Sequence, residues 1–442
     1  MLKRIGAEPD ETGAAVAIKD AAFPAPFPSG LEYGAPARGM WNIVHTGMLL
    51  PEAHQIFVCA AGCLRGVVLT AAEMKAEERF STVEIREENV LDGDMEELII
   101  DGVTDILNKL PCMPPAVLIF TSCIHHFMSC DLPQVYRVLR ERFPQTAFTD
   151  CYMNPIMRKS GLTPDQLMRK QLYSLLKPRP KDPKAVNLIG NDLPTDASSE
   201  LVRMIQKNGF RLRDITWCRT YGEYQEMAEA SVNLSTYPSA VAGCEELERR
   251  LGQKQLYLPQ SFDYDEIEDN LCRLAGCLSI DAPQTAPGRA RAERALQGAR
   301  EVIGDMAVSV DYTATPRPLG LARLLCQHGF RVASVYLDAI NEEERGAFGW
   351  LRTHVPELML RATIHPKMRV LPRAGREPVL AIGQKAAYFT GTRHFVNIVE
   401  GGGMYGYDGI ARLAGLMTGA YLEERDARSL IQAKGLGCAC CI

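Results

Sequence analysis

The sequence predicts an α/β protein made of three consecutive Rossmann-like, doubly wound parallel-sheet domains, and three observations carry that prediction. Short apolar runs such as Ile56–Val58 and Ala116–Phe120 alternate with stretches in which apolar residues recur every three or four positions. The strand–turn–helix order repeats in three successive blocks, as expected when parallel strands are joined by helical crossovers. Proline-rich or strongly charged segments separate the blocks. The repetition is structural, since no block resembles another in sequence.

Size and composition bound the answer. A chain of 442 residues is long enough for about three domains. Its apolar fraction of 46% and charged fraction of 23% are those of an ordinary globular protein. A formal charge of −5, with no lysine- or arginine-rich block, argues against a nucleic-acid partner. No apolar run reaches the roughly 18 residues that would cross a bilayer, and MLKRIGAEPDETGAA lacks the apolar core of a signal peptide. A cytoplasmic protein without a membrane partner is expected.

Residues 1–40 show little periodicity and include FPAPFPSG, where prolines remove donors, so an extended arm lying on the rest of the chain is expected. The first domain, 41–180, opens with a strand near Gln55–Val58, a turn at Ala60–Gly62 and a helix over Leu64–Ala76. Leu98, Ile99, Val103, Ile106 and Leu107 predict a helix over Asp94–Lys109. Strand Ala116–Thr121, helix Leu132–Arg142 and strand Thr146–Cys151 follow. Lys181–Lys184, beside Pro178, Pro180 and Pro183, reads as a linker.

The second domain, 181–288, begins with strand Ala185–Gly190 and helix Ser198–Asn208, closing on Gly209. It continues with strand Ala230–Leu234, helix Ala240–Leu251, strand Gln255–Leu258 and helix Tyr264–Cys277. The third, 289–426, has helix Arg289–Val302, strand Met306–Val310, helix Leu319–His328, strand Arg331–Tyr336 and helix Glu342–Val355. Strand Val379–Ile382, segment Phe395–Val399 and, past a glycine cluster, helix Tyr407–Leu422 complete it. Residues 427–442 form a cysteine-containing tail.

The chemistry gathers where strands end. AVLIFTSCIHHFMSCDL, Ala116–Leu132, runs from buried strand into Cys123, His125, His126, Cys130 and Asp131, and Cys59-Ala-Ala-Gly-Cys63 ends another apolar run. In open α/β sheets the carboxyl ends of the strands are where ligands bind. Fourteen cysteines are too sparse for a disulfide scaffold and in a reducing compartment serve as core residues or metal ligands. Cys218, Cys244, Cys272, Cys277 and Cys326 sit in apolar or helical contexts and are expected to be core. His125 and His126 either donate protons or cap their loop, Gly401–Gly403 form either a close-approach loop or a turn, and Asp408 is expected to cap the last helix. Cys438, Cys440 and Cys441 either share a soft metal or trail in solvent.

On these motifs the chain resembles the component 1 family of nitrogenase and nitrogenase-like oxidoreductases, which includes subunits of dark-operative protochlorophyllide reductase and the nickel-tetrapyrrole reductive cyclase. The resemblance runs from about Arg38 to Leu422. It rests on Gly62-Cys63, on Cys123 through Asp131, on the strand starts Asn187–Gly190 and Val232–Leu234, and on Gly402–Gly409, GGMYGYDG. It implies an iron–sulfur cluster, [4Fe-4S] or larger, at a subunit interface, with Cys63 and Cys123 as ligands. The family's third cysteine falls on Met40, whose thioether is a poor iron ligand, so Cys59 is the expected substitute. Cys59 and Cys63 in one turn, with Cys123 across from them, would converge from two adjacent strand ends. The fourth ligand is expected from Cys130, Asp131 or a partner chain.

The resemblance also implies an oxidoreductase fed by a separate ATP-dependent iron–sulfur reductase, since this chain lacks a G-x-x-x-x-G-K-[ST] loop. It implies reduction of a substrate bound between the domains, and a homodimer or a pairing with a paralogous subunit. The residues matching the molybdenum–iron cofactor anchors are Ser235–Pro238 and Val396–Val399, with His394 out of register, so dinitrogen is not the expected substrate. The rival reading is a scaffold on which a metallocluster or cofactor precursor is assembled.

Overall fold

The most continuously apolar strands take the most enclosed positions. Ala116–Ser122 is buried at every residue and His54–Ala60 at all but the last, as strands covered by helices on both faces must be. The computed structural model describes residues 10–32, 43–154, 161–370 and 378–426. A four-stranded parallel sheet has the order Phe80–Ile85, His54–Ala60, Ala116–Ser122, Ala147–Met153. A second runs Arg211–Asp214, Asp182–Ile189, Ala230–Ser235, Lys254–Tyr257, also parallel. The third, six-stranded, runs Ala15–Ala17, Met359–Arg361, Val332–Tyr336, Ala307–Asp311, Val379–Ile382, Phe395–Val396. All its pairs are parallel except the first, where residues from the proline-rich arm add an antiparallel edge. Three Rossmann-like sheets in one α/β chain are what the sequence predicts.

The chain forms two compact units. One comprises Met40–Pro194 and Gly209–Leu258 and holds both four-stranded sheets; the other comprises Met1–Gly39, Thr195–Asn208 and Pro259–Ile442 and holds the six-stranded sheet. In the first unit a single apolar cluster spans both sheets, joining Phe57, Phe120 and Leu172 to Ile189, Tyr224 and Leu247. Phe57 and Phe120 stack at 4.1 Å, 5° from parallel, from directly paired strands. Such contacts add about 0.5–1.5 kcal/mol to the burial itself. In the second unit the helix Gly406–Leu422 packs along Ala286–Ile303, and Tyr407 fills the space left by Gly288.

Several elements differ from the sequence reading. Strands Ala15–Ala17, Phe80–Ile85, Arg211–Asp214 and Met359–Arg361 were not expected. Each lies at or next to a sheet edge, where one side of the strand is polar and the apolar run is interrupted. The presumed linker Lys181–Lys184 is the start of a strand, Asp182–Ile189. Helices Pro164–Ser174 and Tyr221–Glu226 are additional, each entered through a capping box, Thr163/Gln166 and Thr220/Glu223. The helix expected from Leu64 begins at Ala61, so Cys63 lies within its first turn and not before it. Cys272 is exposed, not core: Leu271 and Leu274 face inward, and one residue's helical rotation turns Cys272 outward.

Candidate functional site

Strands His54–Ala60 and Ala116–Ser122 are adjacent and parallel, with Val58 opposite Thr121, so both deliver their carboxyl ends to one edge. Cys59 is the penultimate residue of the first strand, Cys63 lies in the helix that follows, and Cys123 opens the helix after the second strand. Cys59 is 0% exposed, Cys123 half-buried and Cys63 exposed. Burial, with smaller contributions from the neighbouring Cys63 and Cys123, pushes the Cys59 thiol up to about 12. All three residues thus lie at the carboxyl ends of two adjacent strands.

The turn carrying Cys123 is braced by His125. The Ser122 N–H donates to His125 Nδ1 at 3.1 Å, which leaves the ring proton on Nε2. His125 is buried, Nε2 has no partner among the described residues, and burial lowers the ring's pKa. Capping is thus what His125 does in the structure, whereas His126 is exposed.

Cys130 and Asp131 are placed differently. Cys130 packs against the apolar cluster of Val135, Leu139 and Ile99, and its thiol is raised by burial and by Glu96. Asp131 caps the helix Leu132–Arg142, accepting from the Gln134 N–H at 3.0 Å, while its own N–H donates to Glu96 at 2.7 Å. Among the described residues no group of three or more His, Cys, Asp and Glu side chains closes to metal-binding geometry. Met40 and Cys438, Cys440 and Cys441 lie outside the described residues.

The surface beside the thiols is apolar. The helix Ala61–Glu73 exposes Val68 (43%) and Leu69 (46%), and Phe127 after Cys123 is 66% exposed. Arg65 is the one charged residue among the first twelve of that helix.

A second strand-end constellation escaped the sequence reading. In the six-stranded sheet the chain leaves Ala307–Asp311 toward one side and later returns to Val379–Ile382 on the other, which makes the gap between these strands the topological switch point. Asp311 ends the first strand, fully buried, accepting from the N–H groups of Thr313, Ala314 and Ala386 and from the Thr313 hydroxyl. Lys385 follows the second strand and is 1% exposed; burial lowers it to about 8, against the pull of Asp311 and Asp338. Gly383 between them has φ +106°, and a Cβ there would stand 2.4 Å from the Asp311 carboxylate. The available clue was a strand ending in Asp and another followed by Gly-Gln-Lys. Asp408, expected as an N-cap, instead pairs with Arg203 and Arg291, and Glu200 takes its N–H from outside the helix. Gly401–Gly403 are a defined turn, all at positive φ, with Gly401 donating to the Ala314 carbonyl at 2.8 Å.

The family model of nitrogenase component 1 type oxidoreductases matches residues 45–416. Two solved structures, described as nitrogenase Cp1 at pH 6.5 and at pH 5, are similar in fold with TM-scores of 0.66 and 0.59. The matches cover 89% and 93% of this chain and 94% of each of theirs, both at 13% identity. No curated protein matches by sequence. No described helix is long and apolar enough to cross a membrane.

Proposed function

Since the chain belongs to the nitrogenase component 1 type oxidoreductase family, we propose that it takes low-potential electrons from an ATP-dependent iron–sulfur reductase and reduces a substrate held within the fold. Entry is at an iron–sulfur cluster on the Cys59, Cys63 and Cys123 edge. The observation that carries this reading is the gathering of three thiols from two adjacent strand ends, beside an exposed apolar helix face.

The reading requires a cluster completed from outside. Three thiols supply three of four ligands, and in this structure Cys130 faces an apolar core and Asp131 is occupied as a cap. A second copy of the chain or a paralogous subunit, covering Val68, Leu69 and Phe127, brings the fourth. When bound, such a cluster supplies a one-electron relay. The protein's own part is to hold Cys59 rigidly in a central strand and to fix the Cys123 turn through His125. The division into domains 41–180, 181–288 and 289–426 belongs to the same reading.

Anaerobic purification with iron and sulfide quantitation tests it. Brown protein with about four irons per chain is expected, and colourless protein holding under about one iron after reconstitution overturns the reading. Sedimentation of the iron-loaded protein should give a dimer; a monomer that keeps its full cluster removes the partner-supplied ligand.

A further inference from the structure

In the unit built on the six-stranded sheet, three helices, Tyr264–Leu278, Pro318–Gln327 and Arg345–His354, begin around one cleft of about 440 Å³. That volume is in the range of small-molecule sites. Its polar lining carries both signs of charge, and the two arginines are incompletely satisfied. Arg317 is 7% exposed and gives three N–H groups to carboxylates: Nη1 to Glu266 at 2.6 Å, Nη2 and Nε to Glu343 at 2.7 and 3.2 Å. A guanidinium has five, so two remain without an acceptor among the described residues.

Arg323 pairs with Asp263 at 3.2 Å and lies over the Trp350 ring, but its Nε is buried with no partner among the described residues. On the acidic side, the Glu344 carboxylate is taken up by the N–H groups of Leu319 and Gly320, at 2.7 and 2.9 Å. Asp265, exposed at the rim, has no cationic side chain paired with it among the described residues. Phe262, Leu324 and Ala347 supply apolar wall.

We propose that this cleft binds a small zwitterion, a free α-amino acid with an apolar stem. Its carboxylate accepts from Arg323 Nε and the remaining Arg317 N–H groups, its ammonium donates to Asp265, and its side chain lies on Phe262 and Leu324. Other ligand classes satisfy only half of the lining. A phosphate would meet five acidic side chains and leave Asp265 without a cation. A metal ion or a diamine would leave the buried arginine donors without an acceptor. The site is independent of the cluster reading, because none of its residues lies in the unit that carries the three cysteines.

The test is binding to the full-length protein by calorimetry and thermal shift, with L-leucine, L-methionine and L-lysine as probes. At least one should raise the Tm and bind. Its N-acetyl derivative, which loses the ammonium charge, and its carboxamide, which loses the carboxylate, should each bind at least about ten-fold more weakly. Arg323→Gln and Asp265→Asn should each weaken the free amino acid by about ten-fold, with circular dichroism unchanged. If none of the three probes binds at about 10 mM, or if the carboxamide binds as well as the free amino acid, the proposal is wrong. The ligand series uses unmodified protein, so it decides the question even if a variant fails to fold.

Discussion

Two strand-end regions of this molecule solve the same topological situation in opposite ways. At Cys59, Cys63 and Cys123 the edge is open, its donors are soft, and the surrounding helix face is apolar and exposed. At Asp311 and Lys385 the edge is sealed, its groups are hard and charged, and the backbone closes tightly around them. An open, soft edge would suit a group shared with another subunit, the reading proposed above. A sealed, charged edge suits a group whose protonation is set by its surroundings, because desolvation is what shifts a pKa most. The difference is between chemistry completed from outside and chemistry tuned from within.

The sharpest way to break this contrast is at the soft edge. Cys63→Ala and Cys123→Ala should each abolish the cluster, read as loss of iron and of the electron paramagnetic resonance signal of the dithionite-reduced protein. Cys59→Ala should do the same, and a wild-type signal in that variant would show Cys59 to be a core residue. At the sealed edge, Asp311→Ala leaves four polar hydrogens without their acceptor. A loss of about 3–5 kcal/mol in urea unfolding is expected, with iron content unaffected.

Lys385→Met sharpens the comparison through pH. The folded pKa of about 8 lies below the ordinary 10.5, so below pH 8 the amine is charged in both states and its burial cost is fully present. As pH rises from 8 to 10.5 the folded protein sheds that proton while the unfolded chain keeps it, and stability contributed by this group rises. Wild type should therefore gain on Lys385→Met by up to about 3 kcal/mol across that window. A difference between the two that stays flat with pH would contradict a lowered pKa. The smallest effect is expected at Asp131→Ala, which removes a helix cap for about 1 kcal/mol and leaves the iron in place. Loss of the cluster there would instead make Asp131 the fourth ligand.

What could be read from the sequence follows burial. The central strands are near-continuous apolar runs, so Ile56–Val58, Ala116–Phe120 and Val379–Ile382 announce themselves. Edge strands do not: Arg211–Asp214 is three-quarters charged, and Ala15–Ala17 is only three residues long. The thiols were legible because sulfur at the end of an apolar run is conspicuous. Lys385 was not, because a lysine after a strand looks like solvent-facing polarity until the surrounding chain closes over it.

The sequence by itself determined the fold class, the order of the central strands along the chain, and the chemical type of the Cys59, Cys63 and Cys123 edge, because apolar periodicity and residue chemistry are local properties. Only the tertiary structure decided that Cys63 lies within a helix, that Asp131 is spent as a cap, that Cys272 faces out, and that Asp311 and Lys385 share one sealed gap. Those outcomes depend on which strands become neighbours and which groups lose their water. Asp311 and Lys385 stand 74 residues apart in the chain and meet only because two parallel strands pair across the switch point of one sheet.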